Sequence, residues 1–189
     1  LLFRHIVFKE QPCIPAMFLI HERKLTETHQ FMFQECLVRI PYLKKVTCPI
    51  VTDNEKAIVN VIHDVLFNIP HVLCWNHLIH DVRYWLQKHA APSADIATYI
   101  GDVRLLFHSP TEEVYNNQFS AIQRTWDAQF EQYYTKEIHS NINSIGRWRL
   151  EELGIYNPCS GVTNNQSESM NRVIKDLQGW KEHHWTVLF

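Results

Sequence analysis

Pro49-Ile50-Val51-Thr52-Asp53-Asn54-Glu55-Lys56 is the stretch on which the fold turns. A β-type run over residues 46–52 stops at Asp53, and from Glu55 the hydrophobic period changes. Ala57, Ile58, Val61, Ile62, Val65 and Leu66 fall at three- and four-residue spacings, which predicts an amphipathic helix. Strands that pass straight into helices are the units of α/β folds, and chemistry there collects just past the carboxyl ends of the strands. The plainer role for Asp53 is to cap the helix, with Lys56 beside it, and this stretch alone favours the cap.

Working outward, His71-Val72-Leu73-Cys74 is a short strand. A helix over residues 76–89 follows, with Leu78, Ile79, Val82, Trp85 and Leu86 as its stripe and Pro92 as its break. Upstream, residues 1–9 and 16–22 read as neighbouring strands joined by a short turn. Thr26 or Thr28 caps a helix whose Phe31, Phe33, Cys36, Leu37 and Ile40 share a face, and Pro41 ends it. Residues 93–141 are helical, interrupted at Ser109-Pro110, with Ser93 and Thr111 as starts. Tyr115, Phe119, Ile122, Trp126, Phe130 and Tyr133 recur there at helical spacing. Gly154 caps a short helix, residues 157–161 form a turn, and helix returns over residues 167–177. That order predicts an α/β fold in one domain over residues 1–189, with a core of 1–90 and 160–189 and an all-helical insertion at about 91–159.

Composition narrows the function classes. The 189 residues suffice for one domain with a sizeable core, and 46% of them are hydrophobic, which argues against wholesale disorder. A net charge of −2 lacks the strong basic excess of a self-sufficient nucleic-acid-binding module. Five scattered cysteines predict reduced, intracellular thiols rather than a disulfide framework. No apolar run is long enough to span a bilayer, so no membrane partner is expected. The chain opens on Leu1 inside a strand-like run and reads as a fragment or truncated copy.

Two further constellations carry chemistry. Gly161-Val162-Thr163-Asn164-Asn165-Gln166-Ser167-Glu168-Ser169-Met170-Asn171-Arg172-Val173-Ile174-Lys175 is a polar loop that becomes a helix, with one carboxylate, Glu168, among hydroxyls and amides. Its plain reading is a solvated glutamate in a first helical turn. In Cys74-Trp75-Asn76-His77 the C-x-x-H spacing lets both side chains turn toward one point. A structural Zn²⁺ site needs about four ligands. His71, His80, Asp81 and Cys48 are further donors, but they form no matching second pair. Cys74 as a small buried hydrophobe and His77 as a hydrogen-bonded helix-start residue is the favoured reading. Arg172 and Lys175, with Asn164 and Asn165, are candidate DNA contacts, although a solvated face is the default for such residues.

Taken together, these residues resemble the DDE-type transposase domain of Mutator-like elements (MULE). The family pattern is matched by the strand-end acid of Ile50-Val51-Thr52-Asp53-Asn54-Glu55-Lys56-Ala57, then by Cys74-Trp75-Asn76-His77. A late glutamate in Asn164-Asn165-Gln166-Ser167-Glu168-Ser169-Met170-Asn171 completes the ordered set. The resemblance implies a ribonuclease-H-like core interrupted by a helical insertion. It makes Asp53 the second catalytic aspartate and Glu168 the catalytic glutamate. Both would be ligands to Mg²⁺ or Mn²⁺ in a two-metal site for DNA cleavage and strand transfer. It further implies nuclear location, DNA as partner and a homo-oligomer. No Asp precedes Asp53, so the strand carrying the first catalytic aspartate is expected to be missing. A reduced sheet of about four strands would follow, with a gap or altered pairing between residues 1–9 and 46–52. A degenerate or domesticated module that binds DNA or protein without catalysis is the alternative.

Overall fold

A computed structural model describes residues 2–4, 13–15, 17, 19, 25–41, 43, 49–154, 165–177 and 179. The chain divides into two compact units, one of Leu1–Glu22 with Asn164–Phe189 and the other Arg23–Thr163. In the first, β1 (Leu2–Arg4) pairs antiparallel with β2 (Cys13–Pro15). The partner of the first strand is thus the proline-bearing segment ahead of residues 16–22. Met17 and Leu19 carry no strand, and residues 16, 18 and 20–22 lie outside the described residues. Pro15 sits at the last paired position, where its missing N–H is tolerated. The same unit contains α8 (Asn165–Leu177), which starts two residues earlier than its pattern predicts.

The larger unit is a helix-rich α/β body. Its strands β3 (Ile50–Thr52) and β4 (His71–Leu73) pair in parallel, with Thr52 opposite Leu73. The crossover between them is α2 (Lys56–Val65), preceded in the chain by α1 (Thr26–Arg39). Period-2 alternation puts neighbouring residues of β3 on opposite faces, and both faces are covered. Ile50 packs against a cluster of Phe33, Val61, Ile62 and Leu66 between α1 and α2, whereas Val51 packs against the main core.

That main core starts at Val72 and Leu73 and continues through α3 (Trp75–Lys88), α4 (Ser93–Phe107), α5 (Glu112–Ile122), α6 (Ala128–Glu137) and α7 (Arg147–Glu152). The helical region after β4 therefore shares one apolar interior with the strand end. Trp75 makes the connection: its ring lies 5.4 Å from that of Phe107, and its Nε1–H donates to the Ile145 carbonyl at 2.8 Å. Phe130 is wholly buried and stacks on Tyr99 with centroids 4.7 Å apart. A Trp126 edge meets Phe130 at 4.8 Å, and the Trp126 Nε1–H donates to Asp102 at 2.8 Å.

Several boundaries differ from those expected. Leu25, not Thr26 or Thr28, occupies the capping position of α1, and Phe31 points to solvent at 61% exposure while His29, Phe33 and Cys36 are buried. Pro92 rather than Ser93 precedes α4, with no side-chain cap bond. Thr111 does cap α5, accepting from Val114 N–H at 3.2 Å. The long helix expected beyond it is broken at Gln123–Thr125, a 3₁₀ turn, and restarts where Asp127 accepts from the amides of Gln129 and Phe130. The restart resets the helical phase, so Tyr134 rather than Tyr133 joins Phe130 in the interior. Gly154 adopts φ +76°, the left-handed region that favours glycine, and its N–H bonds the Glu151 carbonyl to end α7. Among the described residues no helix is long and apolar enough to cross a membrane.

The packing ranks substitutions. Phe130→Ala should lower unfolding free energy by about 3–5 kcal/mol, as large-to-small changes of a buried aromatic do. Asp127→Ala should cost only about 1 kcal/mol, the loss of one cap. Urea titrations of both variants test this order, and a larger loss in Asp127→Ala would reverse the assignment of which holds the segment.

Candidate functional site

β3 and β4 end side by side, and two of the three constellations stand one residue beyond that end. Asp53 follows Thr52, and Cys74 follows Leu73. The Cys74 N–H donates to the Thr52 carbonyl at 2.8 Å, which extends the ladder to the edge of the site. Both strands turn at once into helices, α2 after Asp53 and α3 after Cys74. Glu55 and Cys74 hold the capping positions, and neither helix start receives a side-chain cap bond. Asp53 therefore does not perform the capping role its position suggests. Two helix N-termini, each with a positive partial charge, begin at the same strand edge as this half-buried acid.

The surroundings of Asp53 are polar on one side. The Thr52 hydroxyl lies 2.7 Å from the Asp53 carbonyl oxygen and 2.7 Å from His71 Nε2. Burial lowers the proton affinity of His71, so the neutral imidazole is favoured. Two residues on, Glu55 meets the buried His29 of α1, with His29 Nε2 3.6 Å from the carboxylate. Farther along α3, burial pushes the Asp81 carboxyl above its usual range. His77 and His80 act against that rise and the charge of Asp53 adds to it. Asp81 is exposed as a residue, so solvent screening keeps this interaction weak.

Cys74 is wholly buried at the head of α3, and His77 lies half-buried within its first turn. Among the described residues Cys36 is also a buried thiol, and burial pushes its pKa up. Cys48 lies outside the described residues. Among the described residues, no group of three or more His, Cys, Asp or Glu side chains is gathered to hold a metal ion.

The third constellation belongs to the other compact unit. Glu168 lies exposed in the first turn of α8. Arg172 and Lys175 are exposed farther along that helix, and Arg172 Nε lies 3.9 Å from the Asp176 carboxylate. Asn164 lies outside the described residues, and Asn165 is the first residue of α8. So the fold brings Asp53 together with Cys74 and His77, and places Glu168 and its basic neighbours on α8. Thr52 is the neighbour that sequence reasoning missed. His71 and Asp81 stood out only as donors without a supporting spacing. Their relation to Asp53 depends on parallel register and helix phase, for which no local spacing is diagnostic.

Comparison of the chain with protein-family models, curated proteins and solved structures finds no match.

The half-buried imidazoles of His71 and His108 make stability depend on pH in a defined sense. Burial lowers the pKa of His71 and of His108, so between the folded and ordinary values the unfolded chain binds more protons. Their contribution is complete above the ordinary histidine pKa of ~6.5 and is lost as pH falls through the folded value. Urea midpoints should therefore drop from pH 7 to pH 5, and the drop should be smaller in His71→Gln. An equal drop in wild type and His71→Gln would show that this imidazole is not the sensor.

Proposed function

We propose that this chain carries two of the three acids, Asp53 and Glu168, of the catalytic domain of a DDE-type transposase of the Mutator-like class, built on a ribonuclease-H-like core, and lacks the first. The observation that carries the reading is the placement of Asp53. It stands one residue past the carboxyl end of a half-buried parallel strand, ahead of α2, and is not used as a helix cap. An acid left free of capping at that edge is available for chemistry. The paired C-x-x-H segment at the end of the adjacent strand supports the same reading.

Asp53 and Glu168 would be the ligands of Mg²⁺ or Mn²⁺. Carboxylate oxygen is the donor type these hard cations select. When bound, the metal supplies Lewis-acid stabilisation of phosphoryl oxygens and activates the attacking water or 3′-hydroxyl. The chain's own contribution is to hold Asp53 at a fixed strand end. Arg172, Lys175, Asn164 and Asn165 would meet the phosphates of DNA. Cys74 and His77 would support the strand end, with Cys74 packed in the interior. Action on DNA assigns the protein to the nucleus, as a homo-oligomer holding transposon ends.

A longer form of the protein that also supplies the first catalytic aspartate should convert supercoiled plasmid DNA to nicked circles with Mn²⁺, and this chain alone, which has no Asp ahead of Asp53, should not. Asp53→Ala and Glu168→Ala should each reduce nicking by more than about 100-fold, the upper end of what losing even an outer-shell partner costs a metal site. Unchanged nicking in either variant would overturn the assignment of that acid. The net charge of −2 favours a second reading, a domesticated module that binds a protein partner without catalysis. Absence of nicking by the longer form as well, with stable capture of a protein partner by both variants, is the result expected of it.

A further inference from the structure

The contact between Thr52, His71 and the main chain of Asp53 contains more information than its distances. The Thr52 Oγ1 is 2.7 Å from the Asp53 carbonyl oxygen and 2.7 Å from His71 Nε2. A threonine hydroxyl has one hydrogen, and a carbonyl oxygen can only accept. Two oxygens at that distance with no hydrogen between them would repel, so the hydroxyl hydrogen points to the Asp53 carbonyl. Thr52 Oγ1 must then accept from His71, which requires the proton to be on Nε2. His71 is buried enough for its neutral form to be favoured, so it has a single N–H and that hydrogen is committed here. Meanwhile the Thr52 carbonyl accepts from Cys74 N–H at 2.8 Å. Thr52 is therefore bonded through its carbonyl to the continuation of β4 and through its hydroxyl to both a β4 side chain and the next peptide.

We propose that Thr52 and His71 are positioning residues for Asp53. The hydroxyl bridge fixes the peptide from which the Asp53 carboxylate projects, so that the acid leaves β3 in one orientation. This inference rests on the metal-ligand role given to Asp53 under the proposed function. Thr52 and His71 do not touch the metal themselves. Their effect would reach it only through the geometry of the strand end, as groups that orient a metal ligand typically act. An ordinary cross-strand hydrogen bond would stabilise the fold without changing how Asp53 binds a cation.

Two measurements on the full chain test the proposal. In ¹⁵N-histidine-labelled protein at pH 7.5, His71 should show a protonated Nε2 and a bare Nδ1. Mn²⁺ affinity by isothermal titration should fall about tenfold in Thr52→Val, within the range for loss of a group that orients a metal ligand. It should stay near wild type in Thr52→Ser, which keeps the hydroxyl, and vanish in Asp53→Asn. A His71 ring protonated on Nδ1 instead would overturn the bridge whatever the metal data show. Loss of Mn²⁺ binding in Asp53→Asn with unchanged affinity in Thr52→Val would overturn the positioning role and leave the proposed function standing. Wild-type affinity in Asp53→Asn would remove the metal-ligand reading itself, and the positioning role with it.

Discussion

Trp75 is the residue on which the larger unit depends. It is the first residue of α3, next to the end of β4, and its ring is almost fully buried. The ring packs against Phe107 and His108, while its N–H reaches the carbonyl of Ile145, 70 residues further along the chain. A buried indole N–H without a partner would cost about 1–3 kcal/mol, and so would the carbonyl. The hydrogen bond thus gives the helical region after α3 one favoured seat against the strand end. The consequence is that this region is not an appendage. Its interior and the interior beneath β4 are one cluster, running from Val72 to Leu150. A strand end so backed can hold its two terminal residues, Thr52 and Leu73, in register.

The elements legible in the sequence are those whose apolar pattern and burial coincide. The α2 stripe was readable because Val61, Ile62 and Leu66 face one cluster while Val59 meets the other. The helix after Cys74 was readable for the same reason, with Leu78, Val82 and Leu86 at strict helical spacing and all buried. The break between α5 and α6 was not. Ile122, Trp126 and Phe130 preserve a four-residue spacing across a 3₁₀ turn, so periodicity alone continues the helix through it. The local signal was Asp127, a strong N-cap residue, and its side chain takes two amide bonds at the restart. Phe31 misled in the opposite way. It is apolar, but it stands two and five residues from Phe33 and Cys36, off the face that His29, Phe33 and Cys36 share at i, i+4 and i+7, and the interior takes His29 in its place. A histidine facing Glu55 across the α1 and α2 contact satisfies a polar pairing that hydrophobic periodicity does not register.

The site divides along the same line. Asp53, Cys74 and His77 were found because each follows a strand end, and strand ends are marked by a change of period. Thr52 could not be found that way. Its role depends on a side chain one strand away, from a residue whose register partner is Ile50, so the contact runs diagonally across the parallel pair. Such a diagonal is set by ladder register and twist, neither of which has a local signature.

The electrostatics of the strand edge follow from this arrangement. Asp53 and Asp81 are both anionic when ionised, and the charge of Asp53 makes Asp81 harder to ionise. The imidazoles of His77 and His80, one turn and one residue before Asp81 on α3, oppose that effect. The starts of α2 and α3 add fixed partial positive charge at the same edge, and neither is neutralised by a side-chain cap. A capping carboxylate would have satisfied the α2 amides and consumed the acid. Leaving the start of α2 uncapped keeps the Asp53 carboxylate out of the helix's own hydrogen bonding, while the Thr52 bridge holds its backbone. Orientation and availability of the acid are therefore supplied by different groups. That separation distinguishes this strand end from an ordinary capped turn.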